Sequence, residues 1–142
     1  MHKLLIPVDG SPSARNALAY AIKLAQEHGD IELHIVTVHP EPVICGELQV
    51  YAQREAVAEL QRIHSTDFLQ PAIDAAKWAH VPFTSEVLVG STALMIAKRA
   101  KELNCMGIVM GTRGMGAVGN LILGSVATKV VHLTSLPVTL VK

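Results

Sequence analysis

The sequence predicts an α/β fold, a parallel doubly wound sheet of five strands with helices on both faces. Three observations support it. Short apolar runs at 4–8, 31–38, 82–89, 107–110 and 137–141 alternate with longer segments whose apolar residues recur at helical spacing. The runs at 4–8 and 107–110 are nearly continuous, as expected of strands covered on both faces. Half of the 142 residues are apolar, enough for one well-buried core, while the length is too short for two ordinary domains. A single domain over 1–142 is expected.

Taken in order, Leu4-Leu5-Ile6-Pro7-Val8 is the first strand, and Pro7 is tolerable there because it stands at the C-terminal end. Asp9-Gly10-Ser11-Pro12-Ser13 turns into a helix, with Ser11 as N-cap and Pro12 at the first helical position. Ala14, Leu18, Ala21, Ile22 and Ala25 trace its apolar stripe, and Gly29 stops it. The second strand begins by alternating, with Ile31, Leu33 and Ile35 against Glu32 and His34, and His39-Pro40-Glu41-Pro42 breaks it. A helical pattern then fills 47–79, kinked or divided by Pro71. The third strand, 82–89, leads through Gly90-Ser91-Thr92 to a helix at 93–103, for which Asn104 is a C-terminal cap.

The fourth strand, Gly107-Ile108-Val109-Met110, enters a loop with glycines at 111, 114, 116, 119 and 124. Gly124-Ser125 then opens a helix on which Val126, Val130 and Leu133 share one face. A strand, a glycine-rich loop and a helix start, in that order, form an anion site. Small residues let backbone N–H groups approach an oxyanion, and the helix start adds unpaired N–H groups at its positive end. No Asp or Glu follows Glu102, whereas Arg113 and Lys129 lie in or beside the loop. The loop therefore reads as a phosphate holder. Gly114-Met115-Gly116-Ala117-Val118-Gly119 satisfies G-x-G-x-x-G, yet no acid follows to hold the ribose of a dinucleotide. The stretch 119–125 lacks the lysine of a Walker loop.

Composition excludes several classes. Net charge is zero, which argues against nucleic acid and against anionic membranes as partners. The apolar stretch after Met1 is too short for a signal peptide, and no run is long enough to span a bilayer. Cys45 and Cys105 form no C-x-x-C pair and suggest a reduced, cytoplasmic setting. The seven histidines show no metal-ligand spacing and read as surface or packing residues. Three ambiguities remain on the residues alone. Asp9 either caps the first helix or faces a ligand. Arg113 is either a solvated cation or a phosphate contact. The glycines serve either tight turns or close approach.

Pro7-Val8-Asp9-Gly10-Ser11, Val89-Gly90-Ser91, Ile108-Val109-Met110-Gly111-Thr112-Arg113-Gly114, Gly124-Ser125-Val126-Ala127 and Pro137-Val138 together resemble the universal stress protein family, in order and over essentially the whole chain. The most specific part is the spacing G-x2-G-x9-G-[S/T], met by Gly111, Gly114, Gly124 and Ser125. In that family the pattern marks members that bind ATP. The resemblance implies a Rossmann-like domain with strand order 3-2-1-4-5 and a homodimer formed through the last strand, 137–141. It implies a nucleotide site bordered by Pro7, Val8 and Asp9, with Asp9 facing the ribose or a magnesium ion on the phosphates. The main chain around Val38 would meet the adenine edge, and Met110 and Gly111 would border adenine and ribose. Arg113, Gly114, Gly124, Ser125 and Val126 would surround the phosphates. Met106 and Leu136 depart from the family's usual residues, an acid and a cysteine, outside the binding motif.

Magnitudes separate the functional alternatives. Micromolar affinity requires about 8 kcal/mol, whereas a helix N-terminus supplies roughly 0.3–2 kcal/mol. An apolar adenine slot, expected from Val38, Val89 and Met110, has to contribute much of the rest. Efficient phosphoryl transfer would need metal ligands, a cation and a positioned base. The sequence offers Asp9, Arg113 and no candidate base. An ATP-binding regulatory module is therefore the leading expectation. A slow ATP-hydrolysing or phosphate-transferring enzyme and a nucleotide-independent dimeric interaction module are the alternatives.

Overall fold

The structure is a computed structural model that describes residues 1–40, 49–114 and 123–142. Five parallel strands, β1 (His2–Pro7), β2 (Ile31–His39), β3 (Phe83–Val89), β4 (Gly107–Gly111) and β5 (Val138–Val141), form one sheet in the order β3-β2-β1-β4-β5. The helices are α1 (Pro12–His28), α2 (Gln49–His64), α3 (Gln70–Trp78), α4 (Thr92–Glu102) and α5 (Ser125–Leu133). No described helix is long and apolar enough to cross a membrane.

Local chemistry sets the boundaries. The Ser11 side chain accepts from the Ala14 N–H and caps α1, Pro12 opens the helix, and Gly29 closes it in the left-handed conformation at φ 74°. Asn104 takes φ 52° just past α4. Pro71 sits in the first turn of α3, where its missing N–H costs nothing, and a π-helical turn (Ser65–Leu69) separates that helix from α2. Pro7 ends β1, opposite Val36.

Residue parity along the strands divides the core between the two faces. Leu4, Ile6, Leu33, Ile35 and Val109 pack with Ala17, Leu18 and Ala21 of α1 and Ala72 and Ala76 of α3. Leu5, Val36, Ile108 and Met110 pack with Ala93, Ile96 and Ala100 of α4 and Ala127 and Val130 of α5. On α5 the buried residues are Ala127 and Val130, whereas Leu133, expected on the same face, is the last helical residue and is 52% exposed.

His34, expected on a polar side of β2, is buried because its neighbours satisfy both ring nitrogens. Nδ1 lies 2.6 Å from Thr84 Oγ1 and Nε2 lies 2.7 Å from Glu86 Oε1. Arg99 of α4 grips the same carboxylate through Nε at 2.5 Å and Nη2 at 3.2 Å. Burial pushes the Glu86 carboxyl up, but hydrogen bonds from Arg99 and His34, with their charge, outweigh it and hold the group below its ordinary 4.5. A depressed carboxyl stabilises the fold above its unfolded value and loses that contribution as pH falls through the folded value. Wild type should exceed Glu86→Gln by about 1–2 kcal/mol at neutral pH. In urea titrations at stepped pH, that difference should shrink as pH drops below 4.5.

Candidate functional site

The site begins where β1 stops. Past Val8 the chain turns through Asp9 and Gly10, at φ 81°, into α1, while β2 continues to His39. The Val36 carbonyl accepts from the Val8 N–H at 2.8 Å, and the His39 carbonyl accepts from the Gly90 N–H at 2.9 Å. Alternate residues of a strand bond to opposite neighbours. Val38 therefore directs its own N–H and C=O to the side that β1 has vacated.

Asp9 resolves its ambiguity against a simple cap. Its Oδ1 accepts from the Ser11 N–H at 2.9 Å and fastens the turn before the helix, and Ser11 itself is the cap. Oδ2 faces Gly114, where an added Cβ would stand 3.0 Å away. Arg15 donates to the Gly10 carbonyl at 2.8 Å, and a Cβ on Gly10 would meet Phe68 Cδ1 at 2.8 Å.

The glycines of the motif serve close approach rather than tight turns. Among the described glycines, positive φ occurs at Gly10, Gly29 and Gly90, and not at Gly111, Gly114 or Gly124. At Gly111 the close approach is by the protein itself: an added Cβ would stand 2.7 Å from both Ala14 N and Ser13 C, so the first turn of α1 rests on this residue. Gly124 is the N-cap of α5 in extended conformation, and its N–H donates to the Thr112 carbonyl at 2.6 Å. A Cβ there would stand 3.2 Å from Thr112 O and 3.3 Å from Arg113 Cα. The Ser13 hydroxyl donates to the Arg113 carbonyl at 2.5 Å, and the Arg113 N–H donates back to Ser13 Oγ at 3.4 Å. The Arg113 side chain is exposed, and among the described residues no carboxylate pairs with it. Gly116, Gly119 and Cys45 fall outside the described residues, as does the rest of 115–122.

These elements surround a cavity of about 560 Å³. Pro7, Val8, Asp9, Val38, Met110, Gly111, Arg113, Gly114, Gly124, Ser125 and Val126 all line it. Val38, Ile96, Met110 and Val126 give it an apolar wall. Asp9, Arg113, Gly114, Gly124 and Ser125 bring polar and main-chain groups from the turn and the loop. Val89, expected in the apolar slot, is absent from the lining. Leu88 packs on the α4 face and Val87 on the α1 face, so parity sends Val89 away from the slot. Thr92 and Ile96 of α4 line the cavity instead. Gly90-Ser91 marked that helix start in the sequence, but nothing local signalled which of its side chains turn inward. Among the described residues, no group of three or more His, Cys, Asp or Glu could hold a metal ion.

A doubly wound parallel sheet, with a crevice at the carboxyl end of its central strand and a helix start across it, defines the class: a Rossmann-like α/β protein with its cleft at the topological switch point. The universal stress protein family matches residues 1–142, and the chain belongs to that family. It is 35% identical over 140 residues to a universal stress protein of Thermus aquaticus, covering 98% of this chain and 97% of that protein. It is 31% identical over 140 residues to universal stress protein MJ0531 of Methanocaldococcus jannaschii, covering 99% and 81%. Among solved structures, universal stress protein UspA from Lactobacillus plantarum superposes with a TM-score of 0.82 at 20% identity, covering 99% of this chain and 97% of that one. Two further structures share the fold at a TM-score of 0.67 each. One is a universal stress protein in complex with cAMP, 22% identical and covering 99% and 96%. The other is an Archaeoglobus fulgidus universal stress protein in complex with dAMP, 19% identical and covering 100% and 98%.

Proposed function

We propose that this chain is a single nucleotide-binding domain over 1–142 that takes ATP into the cavity and acts as a cytoplasmic regulatory module. The observation that carries the reading is the lining itself. An apolar wall beside the outward-turned main chain of Val38 meets a polar end that joins a carboxylate, a cation and a helix start. That division matches an adenine, a ribose and a phosphate chain in turn. The bound cAMP and dAMP of two structural relatives support an adenine nucleotide. ATP as the particular nucleotide rests on the spacing of Gly111, Gly114, Gly124 and Ser125.

In this reading the Val38 main chain reads the adenine edge, with Met110 packing beside the ring. Pro7, Val8 and Gly111 floor the site. Arg113, Gly114, Gly124, Ser125 and Val126 take the phosphates. Asp9 offers Oδ2 to the ribose or to a magnesium ion carried on the phosphates, since Ser11 occupies Oδ1. A lone carboxylate suits magnesium that keeps its waters and phosphate oxygens as ligands. Nucleotide occupancy would change what the protein contacts. The homodimer would form through 137–141, because β5 is an edge strand that exposes Leu140.

Calorimetric titration of nucleotide-free protein with ATP, with and without magnesium, tests the reading. Saturable binding at one site per chain, with a dissociation constant near the micromolar range (about 8 kcal/mol), is expected. Folded protein that shows no saturation would overturn it and favour the nucleotide-independent interaction module.

A further inference from the structure

We infer that Ser13 is a positioning residue for the phosphate end of the cavity: its hydroxyl selects which main-chain N–H of the glycine loop faces the ligand. The inference rests on the nucleotide reading above and goes beyond it in naming a residue that lines no part of the cavity.

Ser13 lies in the first turn of α1, is 8% exposed, and meets the loop 100 positions away. Its hydroxyl donates to the Arg113 carbonyl at 2.5 Å, while its oxygen receives the Arg113 N–H at 3.4 Å. Both bonds have consequences. The Arg113 N–H is spent on Ser13 and is withdrawn from any ligand. The Arg113 carbonyl is drawn toward α1, and in a trans peptide the following N–H points the opposite way. The Gly114 N–H is therefore turned away from α1. Gly114 N stands 3.6 Å from where a Gly124 side chain would begin, so that glycine leaves the donor uncovered on the side of α5. Gly111 makes the arrangement possible, because a side chain there would collide with Ser13 itself. One buried hydroxyl thus aims the Gly114 N–H across the loop base, beside the start of α5.

The experiment compares ATP with adenosine, which carries the base and ribose but no phosphate. Ser13→Ala should weaken ATP binding about tenfold, the effect of losing one oriented hydrogen bond to a charged group, and leave adenosine affinity unchanged. Ser13→Thr and Ser13→Val provide a second pair of nearly equal shape that differs in the hydroxyl. Thr should keep the wild-type ratio of ATP to adenosine affinity, and Val should lower it as Ala does. Equal losses for both ligands, or no loss of ATP affinity in folded Ala and Val variants, would overturn the positioning role with the nucleotide reading intact. Wild-type protein that takes up neither ligand would overturn the reading on which the inference rests.

Discussion

Gly114→Val is expected to lose ATP affinity by about a hundredfold or more, equivalent to about 2.7 kcal/mol, while the variant unfolds near the wild-type temperature. Gly114 is exposed, its φ lies outside the left-handed region, and it lines the cavity. The backbone can therefore carry a branched residue without strain of its own. The first new atom would stand 3.0 Å from Asp9 Oδ2, the end of a side chain that can move aside slightly. The two further methyls have to occupy the space between Asp9 and the start of α5, where the phosphates are proposed to lie. Calorimetry for binding and a thermal melt for folding check the two halves separately. Unchanged ATP affinity in a folded variant would remove Gly114 from the site.

Gly111→Ala should have the opposite profile, a loss of about 3 kcal/mol or more in global stability, at the upper end of what overpacking costs. The added methyl meets Ser13 C and Ala14 N at 2.7 Å, and these are backbone atoms. Neither can rotate away, so α1 has to lift from β4. That separation would open the packing between the sheet and Ala17 and Leu18 and break both Ser13 bonds to Arg113. Urea denaturation measures it. Stability within about 0.5 kcal/mol of wild type, the range of an ordinary surface substitution, would show that the close contact is relieved elsewhere. Two glycines of one motif are thus expected to fail in different ways, Gly111 through the fold and Gly114 through the ligand.

The features legible in the sequence were those written by local chemistry. Ser11-Pro12 opened α1 and Gly29 closed it, because capping and φ preferences act within a few residues. Pro71 marked the division between α2 and α3 for the same reason. The strand order 3-2-1-4-5 came with the family resemblance rather than from periodicity, since pairing partners are separated by whole elements. What was not legible depends on residues distant in the chain. His34 reads as a polar position until Thr84, Glu86 and Arg99 are brought beside it. Val89 reads as part of an adenine slot until its register with His39 fixes the face it points to. The contact of Ser13 with Arg113 leaves no local trace, because a serine in the first turn of a helix is ordinary.

That contact also bears on how the chain acquires its cleft. Its two walls meet across 100 positions, and closing so long a loop has to precede any reward from the bonds it permits. During synthesis, β1 and α1 emerge long before the strand that completes the pocket. A partly made chain therefore has nowhere to hold a nucleotide, however well its early elements form. A nucleotide bound there as proposed would act only after the sheet has joined its two ends, as a stabiliser of the finished fold and not as a template for the nascent one.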